Sequence, residues 1–124
     1  MVYVLEQIIL KHIRTINNAS IQSYSILSAI AFATMEIKIK EAGYENDIYL
    51  TSSIYDSVYY EVRKSPKIIK WMNETLIKVM VKPFMENSRI ENTSECEIGN
   101  NWADLIEIKP DISEEDINKI LKGL

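Results

Sequence analysis

The pattern of apolar and polar positions predicts two helices in the first third of the chain. In residues 4–15 the apolar side chains recur at helical spacing and form one face, made of Leu5, Ile8, Ile9 and Ile13. Residues 17–20 read Asn-Asn-Ala-Ser, whose polar side chains compete for backbone groups and favour a turn. A longer helix is predicted over residues 20–43. It is apolar almost all round in its middle, which indicates burial on more than one side, and Gly43 is its expected C-cap.

Residues 47–63 predict a tight β-hairpin. Residues 48–54 and 58–62 are rich in β-branched and aromatic side chains and contain neither Gly nor Pro. The polar tripeptide Tyr55-Asp56-Ser57 separates them, which places Asp56 at an exposed tip that a metal ion or substrate can reach. The simpler interpretation is a turn aspartate whose side chain hydrogen-bonds its own backbone.

The next segment predicts a helix followed by a strand. A helix over residues 65–87 is expected to begin with Ser65 as N-cap and Pro66 in its first turn. Residues 95–109 are expected to hold a short strand with alternating faces and a segment anchored by Trp102.

The last predicted element is a short helix over residues 113–122. Ser113 is its expected N-cap, and three acids follow in the first turn, where the helix dipole favours them. The pattern as a whole predicts one α+β domain over residues 1–124. Its parts are a long buried helix, a hairpin, a covering helix, a short strand and an additional C-terminal helix.

Charge and cysteine content narrow the function classes. A net charge of −4 argues against an autonomous DNA-binding domain, which is normally basic, but is compatible with part of a larger DNA-binding enzyme. The single cysteine, Cys96, excludes an internal disulfide and a multi-cysteine zinc site. The start of the chain lacks a signal-peptide pattern, and no apolar run approaches the ~20 residues of a membrane span.

The hairpin sequence resembles a polymerase motif. Ile54-Tyr55-Asp56-Ser57, followed by Val58-Tyr59-Tyr60-Glu61-Val62, is similar to motif C of the family A (bacterial DNA polymerase I-like) DNA polymerases. That motif has an apolar residue, His, Asp and Glu, followed by an apolar strand ending in Glu-Val. Asp56 falls on the aspartate of the motif, while Tyr55 and Ser57 replace its His and Glu.

Two further segments resemble the same family in the same order. Residues 14–23 are similar to the pattern Arg-x-x-x-Asn-Ala-Pro-x-Gln-Gly, with serines in place of the Pro and the Gly; the matching positions are Arg14, Asn18, Ala19 and Gln22. Residues 96–102, Cys-Glu-Ile-Gly-Asn-Asn-Trp, are similar to the apolar-Glu-Val-Gly segment that leads into an Asn-Trp pair. The resemblance spans residues 14–102, most of the chain.

The resemblance implies the C-terminal part of a polymerase palm, from a phage-type, split or truncated member. It makes Asp56 the expected catalytic residue and Mg²⁺ ligand, with Tyr55 and Ser57 near the site. It also assigns primer–template contacts to Arg14, Asn18 and Gln22, whose donors suit the acceptors of the minor groove.

The same resemblance implies that parts of the enzyme are missing. The family's first catalytic aspartate, in motif A, and its fingers helix both lie upstream of the matched segments. Two-metal phosphoryl transfer needs carboxylates that bridge both ions, and one aspartate on one hairpin cannot fix that geometry. The expected function is therefore a fragment or subunit of a DNA-directed DNA polymerase, a nucleotidyltransferase of DNA replication, that is inactive alone.

The expected partners follow from what is missing. They are the remaining polymerase portion (fingers, thumb and the motif A half of the palm), primer–template DNA and dNTP, with Mg²⁺ bound only in the assembled enzyme. The expected location is the cytoplasm of a bacterial or phage-infected cell, with no membrane partner. Where the missing palm would pack, exposed apolar surface is expected, and the isolated chain is expected to be able to self-associate.

Two other interpretations stand beside this one. A non-catalytic interaction or DNA-binding module that retains the palm scaffold would tolerate Asp56→Asn in the assembled system. A stand-alone small α/β enzyme would use Asp56 and nearby acids, but the sequence offers no nucleophile–base pair, Gly-rich phosphate loop or metal cluster.

Overall fold

The computed structural model describes residue 26 and residues 28–54, 57–81 and 94–124. Within these ranges the chain is mixed α+β, with three helices and two antiparallel sheets of two strands each. The helix predicted over residues 4–15 and the turn predicted at 17–20 lie outside the described residues. No helix within the described ranges is both long and apolar enough to cross a membrane.

The first helix, α1, occupies residues 28–42 and stops at a glycine. Gly43 has a φ of 73°, a conformation that glycine adopts without the steric penalty of a side chain. Its N–H donates to the Lys40 carbonyl at 3.0 Å, and the Tyr44 N–H donates to the Ile39 carbonyl at 3.0 Å. These two bonds satisfy carbonyls that the end of a helix leaves open. The prediction of Gly43 as the C-cap is confirmed.

Strands β1 (Ile48–Ile54) and β2 (Ser57–Val62) form an antiparallel hairpin. At its open end the Arg63 N–H donates to the Asp47 carbonyl at 2.8 Å, and Arg63 Nη1 lies 2.9 Å from Asp47 Oδ1. Leu50 pairs with Tyr60 but Ser52 with Tyr59, so β1 contains one extra residue, a β-bulge.

The predicted tip of this hairpin needs one correction. Ser57, expected in the connecting tripeptide, is the first residue of β2 and is the register partner of Ile54. Strand pairing therefore extends one residue further than the sequence indicated, and only residues 55–56 join the two strands. A two-residue connection is among the commonest in β-hairpins, because its tight turns match the twist of the strands.

Helix α2 (Pro66–Val81) covers the hairpin. The Ser65 carbonyl accepts the Ile69 N–H at 3.0 Å, so Pro66 takes the first helical position, where its missing N–H leaves no bond unmade. Buried side chains of α1, β1 and α2 meet in a first core cluster made of Met35, Ile39, Ile48, Ile68 and Met72. Residues 82–87, which the sequence assigned to the same helix, lie outside the described residues.

The C-terminal third forms a second small unit on the other side of α2. Strands β3 (Cys96–Ile98) and β4 (Ile106–Ile108) pair antiparallel, and helix α3 (Glu114–Gly123) follows. The Ser113 hydroxyl oxygen accepts the Asp116 N–H at 3.1 Å, which confirms the predicted N-cap. A second core cluster of Ile69, Ile108 and Ile117 joins this unit to α2.

A buried amide reinforces the junction between α2 and the C-terminal unit. Asn73 is 1% exposed, and its Nδ2 donates to the Lys109 carbonyl at 2.8 Å. Because a buried polar group is costly unless it is hydrogen-bonded, this bond favours one alignment of the segment after β4 on the helix. The C-terminal unit is therefore part of the core and not an accessory.

Replacing Ile117 by Ala tests that conclusion. Ile117 is fully buried in the second cluster, so truncation is expected to lower the free energy of unfolding by about 2–5 kcal/mol. Ile106→Ala, at a β4 side chain that is 42% exposed, serves as the control and is expected to change it by under ~1 kcal/mol. Chemical denaturation of both variants gives the comparison; equal, small losses would mean that α3 does not contribute to the core.

Candidate functional site

The predicted site residues fall mostly outside the described chain. Tyr55 and Asp56, and the proposed DNA contacts Arg14, Asn18 and Gln22, lie in ranges that the structure does not describe. Ser57 is described, and it lies exposed at the start of β2 opposite Ile54. The structure therefore brings the ends of two paired strands to either side of residues 55–56.

The described residues do not by themselves provide a Mg²⁺ site. No group of three or more His, Cys, Asp or Glu side chains capable of holding a metal ion occurs among them. Glu61, the acid on β2, is the register partner of Tyr49. It lies four residues along the strand from Ser57, roughly 13 Å at a rise of ~3.3 Å per residue. Glu61 is therefore too far along β2 to share an ion with a ligand at the hairpin tip.

A turn built on Asn101 follows β3. Asn101 Oδ1 accepts the N–H groups of Ala103 at 2.8 Å and Asp104 at 3.0 Å, and its Nδ2 donates to Asp104 Oδ2 at 3.0 Å. An asparagine that bonds the backbone two and three residues ahead fixes a turn without a regular ladder. Asn101 thereby stabilises the turn that contains Trp102.

The turn places Trp102 against the hairpin. The Trp102 ring stacks on the Tyr59 ring of β2, with centroids 4.6 Å apart and planes 4° from parallel. Trp102 is nevertheless 62% exposed, so the stack covers one face of the indole and leaves much of the ring in solvent. The sequence indicated an anchoring aromatic here but not its partner Tyr59.

Gly99 allows the same turn to close. A Cβ at this position would overlap the Asp104 carbonyl oxygen and would lie 3.0 Å from Leu105 Cδ2. The obstructing atom belongs to the backbone of the turn that the Asn101 hydrogen bonds stabilise. Gly99 is thus required for close approach of two chain segments, which gives a physical reason for a glycine in the matched segment.

An open groove of about 1500 Å³ lies beside the hairpin. All residues of β2 and all residues of β3 line it, whereas β1 contributes only Thr51 and β4 only Ile108. Side chains of α2 also line it; they are Ile69, Met72, Asn73, Leu76, Lys78, Val79 and Met80. Residues of α1 complete the lining on one side, including Ile30 and Thr34.

Two inaccessible polar atoms belong to residues that line this groove. Tyr60 Oη and Asn73 Oδ1 are buried, and neither has a hydrogen-bond partner within the described chain. Burial raises the pKa of Tyr60 to about 12, and the nearby Glu36 carboxylate adds to the shift. Sequence reasoning missed both residues, although Asn73 had a signal, since it is a polar residue within the buried stripe of α2.

The lone thiol has no sign of reactivity. Cys96 is free and half-buried in β3, and burial, with a smaller contribution from Glu97, raises its pKa to about 11. Because the thiolate is the nucleophile and the metal ligand, a thiol that stays protonated at neutral pH serves packing.

Gly99→Ala tests the required close approach. The added methyl group overlaps backbone, so we expect a loss of roughly 1–3 kcal/mol in the free energy of unfolding. Gly123→Ala is the matched control, because nothing lies within 4 Å of a Cβ there and the residue is helical; a gain of about 0.5–1 kcal/mol is expected. Thermal and denaturant unfolding measure both, and an unchanged Gly99→Ala protein would contradict the packing.

Tyr60→Phe tests the unpartnered hydroxyl. Removing it is expected to leave stability unchanged or to raise it by about 1 kcal/mol at neutral pH, since a buried unsatisfied group is unfavourable. The folded-state pKa of about 12 lies above the ordinary value of 10.0 for a tyrosine. The native state therefore retains the proton longer, and wild-type stability falls as the pH rises from 10.0 through 12. The difference between wild type and Tyr60→Phe in denaturant midpoint across that range isolates this residue, and a constant difference would contradict the burial of the hydroxyl.

Comparison with known proteins found no relative of this chain. No protein-family model, no curated protein and no solved structure matches this chain.

Proposed function

We propose that this chain is the C-terminal part of the palm of a family A DNA polymerase and works only with the remaining polymerase portion. In the assembled enzyme Asp56 would be its catalytic carboxylate, with Tyr55 and Ser57 beside it. Arg14, Asn18 and Gln22 would contact primer–template DNA.

The observation that carries this proposal is the β1–β2 hairpin. The sequence that resembles motif C occupies two antiparallel strands, and Ile54 and Ser57 pair directly on either side of residues 55–56. A carboxylate joined to two paired strands is held more firmly than one on a long loop, as a catalytic group needs. The Asp47–Arg63 contacts close the other end of the same hairpin.

The third matched segment supports the proposal independently. Its Cys96–Ile98 residues are a strand, its Gly99 permits a tight turn, and its Trp102 stacks on Tyr59 of the hairpin. Two segments matched separately to one family are therefore in contact in the structure. Contact between them is what a shared palm scaffold requires.

An exposed apolar stripe made of Ile26 and two residues of α1 is consistent with a missing partner. Ile26, Ile30 and Ile37 recur at helical spacing and are 50%, 49% and 59% exposed. Spacings of four and seven residues bring all three to the same side of the helix. Contiguous exposed apolar side chains mark interaction surfaces more often than they mark free surface.

Asp56→Asn in the assembled system is the decisive test. The chain would be isolated with its partners from the native source, and primer extension would be measured with Mg²⁺ present. The substitution removes one ligand charge at nearly constant size, so a loss of at least about a hundredfold in extension rate is expected, no less than for loss of a metal's outer-shell partner. The pure 124-residue chain is expected to show no extension.

Glu61→Gln provides the matched control on the same hairpin. Glu61 is exposed and far from the tip, so its neutralisation is expected to leave the extension rate within about twofold of wild type. Equal activity of wild type and Asp56→Asn would instead favour the non-catalytic module. Extension by the pure chain would contradict its dependence on a partner.

A further inference from the structure

The face of the hairpin that points away from the core carries aromatic side chains. Tyr60 packs against the first core cluster, and successive side chains of a strand point to opposite faces, so Tyr59 points away from that core. Its register partner Ser52 shares this outer face, as does the neighbouring pair of Tyr49 and Glu61. The outer face therefore lies opposite the side on which α1 and α2 pack.

Trp102 lies on this outer face and uses one side of its ring. The indole stacks on Tyr59 with centroids 4.6 Å apart, and it is 62% exposed, so its other side faces solvent. Three hydrogen bonds of the Asn101 side chain close the turn that carries it. A ring fixed in this way loses little conformational freedom when a ligand stacks on it. Trp102 thus offers a rigid and open aromatic surface.

The charge around this ring is negative. Asp104 belongs to the same turn, where its Oδ2 accepts from Asn101 Nδ2, and neither ion pair among the described residues involves it. Residues 94–124 contain eight acidic and three basic side chains, a net charge of −5. The cation that follows β2, Arg63, is already paired with Asp47. An anionic ligand would be repelled from this turn, and a cationic one would be attracted.

We propose that Trp102 and Asp104 form a docking site for an arginine side chain of a partner polypeptide. The guanidinium group would stack on the open side of the indole and donate to the Asp104 carboxylate. Arginine fits better than lysine because its charge is spread over a plane that is weakly hydrated, whereas the ammonium group is compact and strongly hydrated. Leu105, the exposed next residue, offers apolar surface to the methylene stem.

Other occupants fit these charges less well. A nucleobase would also stack on an open indole, but the phosphates that accompany it would approach Asp104 and a unit with a net charge of −5. A second copy of this chain would bring its own acidic turn against this one. A neutral apolar ligand would cover the ring and leave the carboxylate beside it without a counter-charge. The combination of ring and carboxylate therefore favours a planar cation.

The docking site is independent of the polymerase role. It uses neither Asp56 nor the residues assigned to primer–template DNA, and it would serve a non-catalytic interaction module equally well. Arginine binding is measured without Mg²⁺, DNA or nucleotide, and primer extension is measured without the peptides used below. Failure of one proposal is therefore distinguishable from failure of the other.

The test uses the full 124-residue chain and a triarginine peptide with blocked ends. The indole N–H signals of the two tryptophans are followed by NMR during the titration. The Trp102 signal is expected to shift, while the signal of Trp71, which is half-buried against Tyr44, stays in place. A trilysine peptide carries the same charge without a planar group and is expected to bind at least about threefold more weakly.

Two substitutions and one control locate the binding. Trp102→Leu removes the aromatic surface, so triarginine is expected to lose its advantage over trilysine, as read from the backbone amide signals of the turn. Asp104→Asn keeps an oxygen that can accept the Asn101 bond but removes the charge, and a loss of at least about threefold in triarginine affinity is expected. Asp111→Asn removes an exposed acid outside this turn and is expected to leave the affinity within about twofold.

The proposal is wrong if the Trp102 signal does not move at any soluble concentration of triarginine. Equal binding of triarginine and trilysine would also overturn it, because that result indicates general attraction to an acidic unit. Tighter binding of a short oligothymidylate at Trp102 would assign the ring to a nucleobase instead. In Asp104→Asn and Trp102→Leu an unchanged Trp71 signal establishes that any loss of binding is not a loss of folding.

Discussion

Packing against helix α2 holds the described structure together. Ile68 and Ile69 are neighbours in sequence, yet their side chains enter different clusters, one with α1 and the hairpin and one with β4 and α3. A two-stranded sheet is marginally stable in water without an apolar partner, so each of the two sheets depends on this helix. Val62 of β2 packs against both clusters, so the hairpin contacts each of them. Disruption of α2 would thus remove the support of both sheets together.

The C-terminal unit follows from the same constraint. Strands β3 and β4 have three residues each, too few to bury a core between themselves. They are stabilised because Ile108 and the fully buried Ile117 of α3 complete the cluster around Ile69. The Asn73 amide, bonded to the Lys109 carbonyl, then selects one position of this unit on the helix. The additional C-terminal helix that the sequence indicated thus packs on the domain through Ile117.

Sequence predicted the elements whose signals are local. Gly43 ends α1 and Ser113 begins α3 because capping depends on a few adjacent residues, and β-branched, aromatic runs indicated the two hairpin strands. β4 was missed, although β3 has the same length and was predicted, because its residues were assigned to the segment anchored by Trp102. The Tyr59–Trp102 stack and the groove were missed because each joins segments far apart in sequence. The metal and DNA contacts stay predictions, since of the residues assigned to them or beside them only Ser57 is described.

The proposed polymerase role requires more carboxylates than the one at position 56. A single carboxylate at a hairpin tip needs others held rigidly nearby before it can serve phosphoryl transfer. Among the described residues no cluster of three or more His, Cys, Asp or Glu could hold a metal ion, and Glu61 lies too far along β2 to share an ion with the tip. On the proposed function, a partner would therefore have to supply the further carboxylates before the assembled enzyme could hold its metal ions.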